Sequence, residues 1–242
     1  MATEKILIVE DERAIGDLLL YHLRKEGYER AVHVLTGEEA LSRVTQTPPD
    51  LIFLDLMLPG IDGLEVCRRL KANPKTAPIP IIMLTAKSDE SDIIVGLEMG
   101  ADDYITKPFG AKLLLARMRS VLRRSHRSDV EKPQESTEAQ LVSGPLAMNL
   151  LTRQASLSGK PMTLTVSEFN LLHLLASHAD RVYTRGQLVM ELRGDDYPVT
   201  ERAMDVLVLG VRRKLGEEAF RIETIRGIGY RWNENDTKSA EP

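Results

Sequence analysis

The stretch LIFLDLMLPGIDG, residues 51–63, decides how the N-terminal half folds. Leu51 to Leu54 is an unbroken apolar run that ends in Asp55, and a helical pattern takes over at 63–72. A strand apolar on both faces belongs in a parallel sheet covered on both sides; a sheet with one wet face would alternate. Outward from this stretch the same grammar recurs. Apolar runs lie at Ile6–Val9, Ala31–Leu35, Ile81–Leu84 and Tyr104–Thr106, and amphipathic patterns at 13–25, 37–46, 91–99 and 110–124. Thr36-Gly-Glu-Glu39 reads as a capping box that opens the second helix. Five strands, each followed by a helix, predict a doubly wound α/β domain with a five-stranded parallel sheet.

Past residue 122 the composition changes. Residues 123–140, RRSHRSDVEKPQESTEAQ, have almost nothing to bury and read as a solvated linker. Short alternating segments then fill 141–164. Thr165-Val-Ser-Glu168 caps a helix that runs to Ser177, and Thr184-Arg-Gly-Gln187 caps another that runs to Glu191. A third helix is expected after Thr200, ending near Gly216. The close is a hairpin, Ile222–Ile225 and Tyr230–Trp232, around Arg226-Gly-Ile-Gly229. Strands, three helices and a terminal hairpin predict an α+β winged helix-turn-helix. The expected organisation is therefore a first domain at 1–124, a linker at 125–140, a second domain at 141–233 and a disordered tail at 234–242.

Bulk properties agree with two modest domains: 242 residues, 43% hydrophobic and 28% charged. The net charge of −4 does not advertise nucleic-acid binding by the whole chain. The lone cysteine, Cys67, has no internal disulfide partner and fits a reducing cytosol, so a cytoplasmic protein is expected. The residues after Met1 run almost at once into Lys5–Val9, which leaves no room for a leader's apolar region. No apolar run approaches the ~18 residues of a membrane helix, so no membrane partner is expected. His22, His33, His126, His173 and His178 are scattered without metal-ligand spacing and read as structural.

The chemistry gathers at the strand ends. Strand 1 ends in Glu10-Asp11 and strand 3 in Asp55. In an open α/β sheet, ligands sit at the carboxyl ends of the strands, so three carboxylates converge on one edge. Packed carboxylates repel, and a hard cation with oxygen ligands, Mg²⁺, is the natural remedy. Thr85 closes strand 4 and Lys107 follows strand 5. Any one of these could be a polar strand end meeting solvent. Together they make a pocket in which Asp55 attacks a phosphoryl group while the metal and Lys107 neutralise its oxygens.

Residues 1–124 resemble the receiver domains of bacterial two-component response regulators. The resemblance rests on ILIVEDE (6–12), LIFLDLMLPGIDG (51–63), IIMLTA (81–86) and GADDYITKPF (100–109). It implies strand order 2-1-3-4-5, the order the general rule for this fold class gives. It implies that Asp55 accepts phosphate from a sensor histidine kinase. Asp11 and Asp55 would bind Mg²⁺ directly, Glu10 through water and Met57 through its backbone carbonyl. Thr85 and Tyr104 would be a switch pair. Lys107-Pro108 would be a cis peptide, whereas the residues alone favour trans, since only about 5–6% of X–Pro bonds in folded proteins are cis. It further implies a homodimer, formed on phosphorylation through the face of the fourth helix, fifth strand and fifth helix. Asp102, Asp103, Arg117 and Arg124 stand at ion-pair positions of that face. Ile93 and Leu113 depart from it: both are apolar where a basic and an acidic residue are expected, so a hydrophobic contact replaces one ion pair.

Residues 141–232 resemble the winged-helix output domain of the OmpR/PhoB subfamily, on LTVSEFNLL (164–172), RVYTRGQL (181–188), ERAMDV (201–206), VRRKLG (211–216) and IETIRGIGYRW (222–232). At about 100° per residue, Met204, Val208, Val211 and Leu215 of the third helix face the core. Arg202, Val206, Leu209, Gly210 and Arg213 fall opposite, on the side that would enter the major groove. Arg226 in the hairpin turn would reach the minor groove or a phosphate, and Thr184 and Arg185 open the second helix at a natural phosphate-binding end. Related helices often carry polar or basic residues where this one has Leu207, Leu209 and Gly210. Residues 141–242 hold 13 Lys+Arg and 13 Asp+Glu, a net of zero. Either Val206 and Leu209 contact thymine methyls with few hydrogen-bonded base contacts, or the domain binds DNA only as a dimer on paired half-sites, or has partly lost the activity.

The expected function is that of a DNA-binding response regulator that acts on double-stranded promoter DNA, with RNA polymerase a further candidate partner. Its own chemistry would be limited to Mg²⁺-dependent self-phosphorylation and slow dephosphorylation. An aspartyl-phosphate phosphatase is disfavoured, because Asp55 is followed by Leu56 and Met57 rather than by a second aspartate two residues on. A dinucleotide enzyme is disfavoured, because no G-x-G-x-x-G follows strand 1. A receiver whose output domain binds protein instead of DNA is the remaining rival.

Overall fold

In the computed structural model the described residues are 3–86, 99–126, 140–193 and 202–235. The chain divides into two compact units, Met1–His126 and Arg127–Pro242. The expected helix 91–99 falls almost wholly outside the described residues, as do most of the linker and the end of the tail.

The first unit contains β1 (Ile6–Val9), α1 (Arg13–Lys25), β2 (Val32–Val34), α2 (Gly37–Gln46), β3 (Leu51–Asp55), α3 (Gly63–Ala72), β4 (Ile81–Thr85), β5 (Asp103–Thr106) and α4 (Ala111–His126). Its parallel sheet has the order β2-β1-β3-β4-β5. Because side chains alternate along a strand, each strand feeds two cores. Ile8, Phe53 and Leu84 meet α1 and α4 through Leu19, Leu23 and Met118. Leu7, Leu54 and Met83 meet α2 and α3 through Val44, Val66 and Leu70 on the other face. Thr36 Oγ1 accepts the Glu39 N–H at 3.2 Å and so starts α2.

The register carries the pocket. Val9 pairs with Leu54, so Glu10 and Asp55 emerge side by side. Thr85 pairs with Thr106, so Lys107 emerges beside them from β5.

The second unit opens with an antiparallel sheet of β6 (Gln140–Ser143), β7 (Leu146–Asn149), β8 (Gln154–Leu157) and β9 (Lys160–Met162). Next come α5 (Val166–Ala176), β10 (Tyr183–Thr184), α6 (Arg185–Arg193), α7 (Arg202–Leu215), β11 (Ile222–Ile225) and β12 (Gly229–Trp232). Strands β10, β12 and β11 form a second sheet. Both predicted caps form as reciprocal boxes: Thr165 with Glu168 on α5, and Thr184 with Gln187 on α6. Met204, Val208, Val211 and Leu215 are buried as the helical period requires. Trp232 is fully buried and its Nε1–H donates to Ser143 Oγ at 2.8 Å, tying the wing to the first sheet.

Two expectations are corrected. Glu234 was placed in a disordered tail, yet it accepts from Ser143 Oγ at 2.9 Å and, through its carbonyl, from the buried Arg221 at 2.9 Å. A buried guanidinium needs acceptors, and the chain end supplies one. Gly210 was placed on the outward side of α7, yet it faces α5, where an added Cβ would come within 3.1 Å of Glu168 Oε1.

Candidate functional site

The first unit holds a compact acidic pocket. Carboxylate oxygens of Glu10, Asp11 and Asp55 lie within 4.8 Å of one another. Glu10 and Asp55 are buried and Asp11 is exposed. Lys107 bridges the buried pair: Nζ donates to Asp55 Oδ2 at 2.6 Å and to Glu10 Oε1 at 2.8 Å. The Lys107 N–H donates to Thr85 O at 2.6 Å, and the peptide to Pro108 is cis, as the resemblance implied. Asp55 Oδ1 accepts the Met57 N–H at 3.0 Å, while the Met57 side chain is exposed. Thr85 is buried at the end of β4, and Tyr104 is half-buried on β5.

Two close approaches fix this geometry. A Cβ at Gly63 would fall 2.0 Å from the Asp55 backbone oxygen, so only glycine lets α3 start so close to the end of β3. His33 Nε2 lies 2.7 Å from Glu10 O and donates to it, and the Glu10 N–H donates to Val34 O at 3.1 Å. The His33 ring is packed so tightly on α1 that a Cβ at Gly16 would meet it at 2.0 Å. So β2 clamps the backbone of Glu10 on both sides.

The electrostatics suit a cation. Burial, aided by the charge of Asp55, pushes the Glu10 carboxyl up to about 7 against the pull of Lys107. Burial would lower the Lys107 ammonium, but its hydrogen bonds to Asp55 and Glu10 outweigh that and raise it. Two buried carboxylates that share one lysine, with an exposed third beside them, fit a hard divalent cation with waters on its open side.

The residues expected on a pairing face divide. Asp102 is 2% exposed and points into the fold, where it accepts from Lys71 Nζ at 2.9 Å and the Ile81 N–H at 3.0 Å. In the single chain its carboxylate is held by these partners. Lys71 also donates to the carbonyls of Ala77 and Ile79, which closes the turn before β4. Sequence reasoning missed this pair, since nothing in a helix pattern marks one lysine as buried. Asp103 Oδ2 lies 3.8 Å from Arg117 Nη1 of the same chain. Leu113 is exposed on α4. Ile93 and the side chain of Arg124 lie outside the described residues.

In the second unit, Leu209 and Arg213 are exposed on α7 and Val206 is half-exposed. The Arg202 side chain lies outside the described residues. Arg226 is exposed in the wing turn. Thr184 is exposed but spends its hydroxyl on capping α6. Arg185 donates Nε to Asp205 Oδ1 at 2.6 Å and lies over the Tyr230 ring, whose hydroxyl donates to the same Asp205 oxygen at 2.6 Å. This cluster is not legible in the sequence, because its members are far apart along the chain and meet only where the wing packs on the helices.

Fold and pocket together define the class: a doubly wound α/β domain with an acidic pocket at its strand ends, followed by a winged-helix domain. Comparison with known proteins agrees. Residues 6–119 match the response regulator receiver domain, and residues 159–232 match the C-terminal domain of transcriptional regulatory proteins. The sensory transduction protein RegX3 of Mycolicibacterium smegmatis is 42% identical over 229 residues, 93% of this chain and 97% of that protein. The transcriptional regulatory protein BaeR of Escherichia coli is 43% identical over 234 residues, 95% of this chain and 93% of that one. The phosphate regulon transcriptional regulatory protein PhoB of Pseudomonas aeruginosa is 42% identical over 234 residues, 96% and 99% of the two chains. Among solved structures, a cysteine-to-serine mutant of RitR superposes with a TM-score of 0.75 at 27% identity, covering 96% of this chain and all of that one. The chain belongs to the OmpR/PhoB family of two-component response regulators and is a DNA-binding regulator of that type.

Proposed function

We propose that this regulator is phosphorylated on Asp55 by a sensor histidine kinase in the cytoplasm, pairs through the receiver face made by the segment of the expected fourth helix (91–99), β5 and α4, and then controls transcription from promoter DNA. The observation that carries the reading is the Glu10–Asp11–Asp55 cluster under Lys107. Glu10, Asp11, Asp55 and the Met57 carbonyl would hold Mg²⁺. When bound, Mg²⁺ supplies positive charge to the oxygens of the transferring phosphoryl group.

The chain's own residues do the rest. An Asp55 oxygen attacks phosphorus, and the P–N bond of the kinase's phosphohistidine breaks as the O–P bond forms. Lys107, already at Asp55, neutralises the charge that the new phosphoryl oxygens bring. The Thr85 hydroxyl at the end of β4 is the nearby donor for one of them, and Tyr104 on β5 follows its movement. A switch from 1:99 to 99:1 needs about 5.5 kcal/mol of differential stabilisation, within reach of a few charge-assisted hydrogen bonds. Ile93 against Leu113 would provide an apolar contact in the pair. On this reading the protein is not an enzyme beyond its own phosphorylation and dephosphorylation. On the DNA, α7 lies in the major groove through Arg202, Val206, Leu209 and Arg213, with Thr184, Arg185 and Arg226 near phosphates. RNA polymerase is a further partner of the bound complex.

The test is capture of host genomic fragments by the full chain, with and without beryllofluoride plus Mg²⁺ as a phosphate mimic. Enrichment of a direct repeat with half-sites about one helical turn apart, strengthened by the mimic, is the expected result. Equal capture in both states would overturn the control by Asp55. No fragment in either state would reassign the output domain to a protein partner.

A further inference from the structure

Val206, Leu209 and Arg213 of α7 are exposed or half-exposed, and position 202 falls on the same helical period, i, i+4, i+7 and i+11. The two ends of this row are basic and its centre is apolar. Leu209 is 44% exposed. The other polar side chains of the helix are occupied inside the domain. Asp205 is held by Arg185 and Tyr230. Arg212 donates to Ile222 O at 2.6 Å and to Thr224 Oγ1 at 2.7 Å. Lys214 is paired with Glu168. Residues 203–211, AMDVLVLGV, contain no amide, hydroxyl or free-standing cation to hydrogen-bond a base edge.

Base edges in the major groove carry acceptors and amino donors, and one apolar group, the C5-methyl of thymine. Pressing valine and leucine against any other edge would strip water from polar atoms without replacing it. We infer that Val206 and Leu209 read thymine methyl groups, so that the centre of each half-site is specified by one or two thymines. The span fits: three residues of helix cover ~4.5 Å, against about 3.4 Å per base step. The inference rests on the reading that α7 occupies the groove, and it names what the helix recognises there.

The experiment uses the full chain with beryllofluoride and Mg²⁺ to select from a random duplex library. On the selected duplex, each thymine is then replaced singly by deoxyuridine, which removes only the methyl. The expected result is about a fourfold loss of affinity (~0.8 kcal/mol per buried methyl) at one or two thymines in each half-site. Leu209→Ala should bring the thymine-to-uracil ratio to about one at one of those positions. Equal binding to thymine and uracil duplexes at every position, with Leu209→Asp still abolishing specific binding, overturns methyl readout and leaves α7 in the groove. Normal binding by Leu209→Asp, or a selection that enriches nothing, removes the groove reading and the inference with it.

Discussion

The two units put their charges to opposite use. The receiver concentrates ionisable groups where water is scarce: Glu10 and Asp55 are buried, crowded and served by one lysine. The output domain spends its charges on itself, pairing Arg185 with Asp205, Lys214 with Glu168 and Arg231 with Glu223, and leaves leucine at the centre of its reading helix. The first arrangement crowds carboxylates whose mutual repulsion a divalent cation would relieve. The second occupies cations that could otherwise meet phosphate, so on the proposed reading binding would depend on geometry and on joining two copies. A weak single domain and a strong pair are what a regulator needs if phosphorylation is to decide occupancy.

The largest effect that tests this contrast is at Asp55. Asp55→Asn keeps the shape and one acceptor oxygen, enough for either the Met57 N–H or Lys107 but not both, and removes the nucleophile. Phosphoryl incorporation from acetyl phosphate, read on a phosphate-retarding gel, should fall to background. Labelling at the wild-type level would move the acceptor elsewhere.

Next comes the buried charge that is structural. Lys71 and Asp102 have side chains only 5% and 2% exposed. Removing one partner of a buried pair typically costs about 3–5 kcal/mol, because the other charge stays behind. Lys71→Met should lower the receiver's Tm by roughly 10 °C or more. A shift of a degree or two would mean that the Ile81 N–H and the rest of the surroundings carry Asp102 alone.

A smaller effect is the pH dependence of the acidic pocket. Glu10 is raised to about 7 by burial, so in the folded protein it holds a proton that the unfolded chain, at the ordinary 4.5, has already released. Between those values stability therefore falls as pH rises; the contribution is complete below the unfolded pKa and lost above about 7. A metal must displace the same proton. Apparent Mg²⁺ affinity of the isolated state should rise about tenfold from pH 6 to pH 8 in calorimetric titration, and Glu10→Gln should flatten the profile. A flat wild-type profile would assign no proton to the pocket.

Legibility in the sequence followed the same division. The receiver could be read because its signals are positional: an apolar run ending in an acid states both the strand and the edge at which its carboxylate emerges. Register then brought Glu10, Asp55 and Lys107 together. What failed was burial of particular charges. Asp102 and Asp103 are adjacent and alike in sequence, yet Asp102 is buried against Lys71, because the side chain that meets it comes from α3. The output fold was legible from caps and the 3.6-residue period, which placed Met204, Val208, Val211 and Leu215 correctly. The same period misjudged Gly210, since a helix packed on two neighbours has two buried flanks rather than one. Which arginines remain available for DNA could not be read at all; it depends on Asp205 and Tyr230 meeting Arg185 across the fold.

That last point yields the smallest effect and the sharpest test of self-neutralisation. Asp205 holds Arg185 by a charge-assisted bond at the very end of α6 where phosphates are expected to dock. Asp205→Asn keeps an acceptor for the Tyr230 hydroxyl while removing the negative charge. The released guanidinium can then turn to the DNA backbone. Each added phosphate contact steepens the dependence of log K on log salt by about 0.9. The variant should therefore bind nonspecific duplex a few-fold more tightly at low salt, with a slope steeper by roughly that amount. The wild-type preference for its selected site should shrink, because the gain is blind to sequence. An unchanged slope would mean that Arg185 stays on the wing when its partner charge is gone, held by the remaining amide oxygen and by Tyr230, and that the cluster positions the wing rather than restrains the helix.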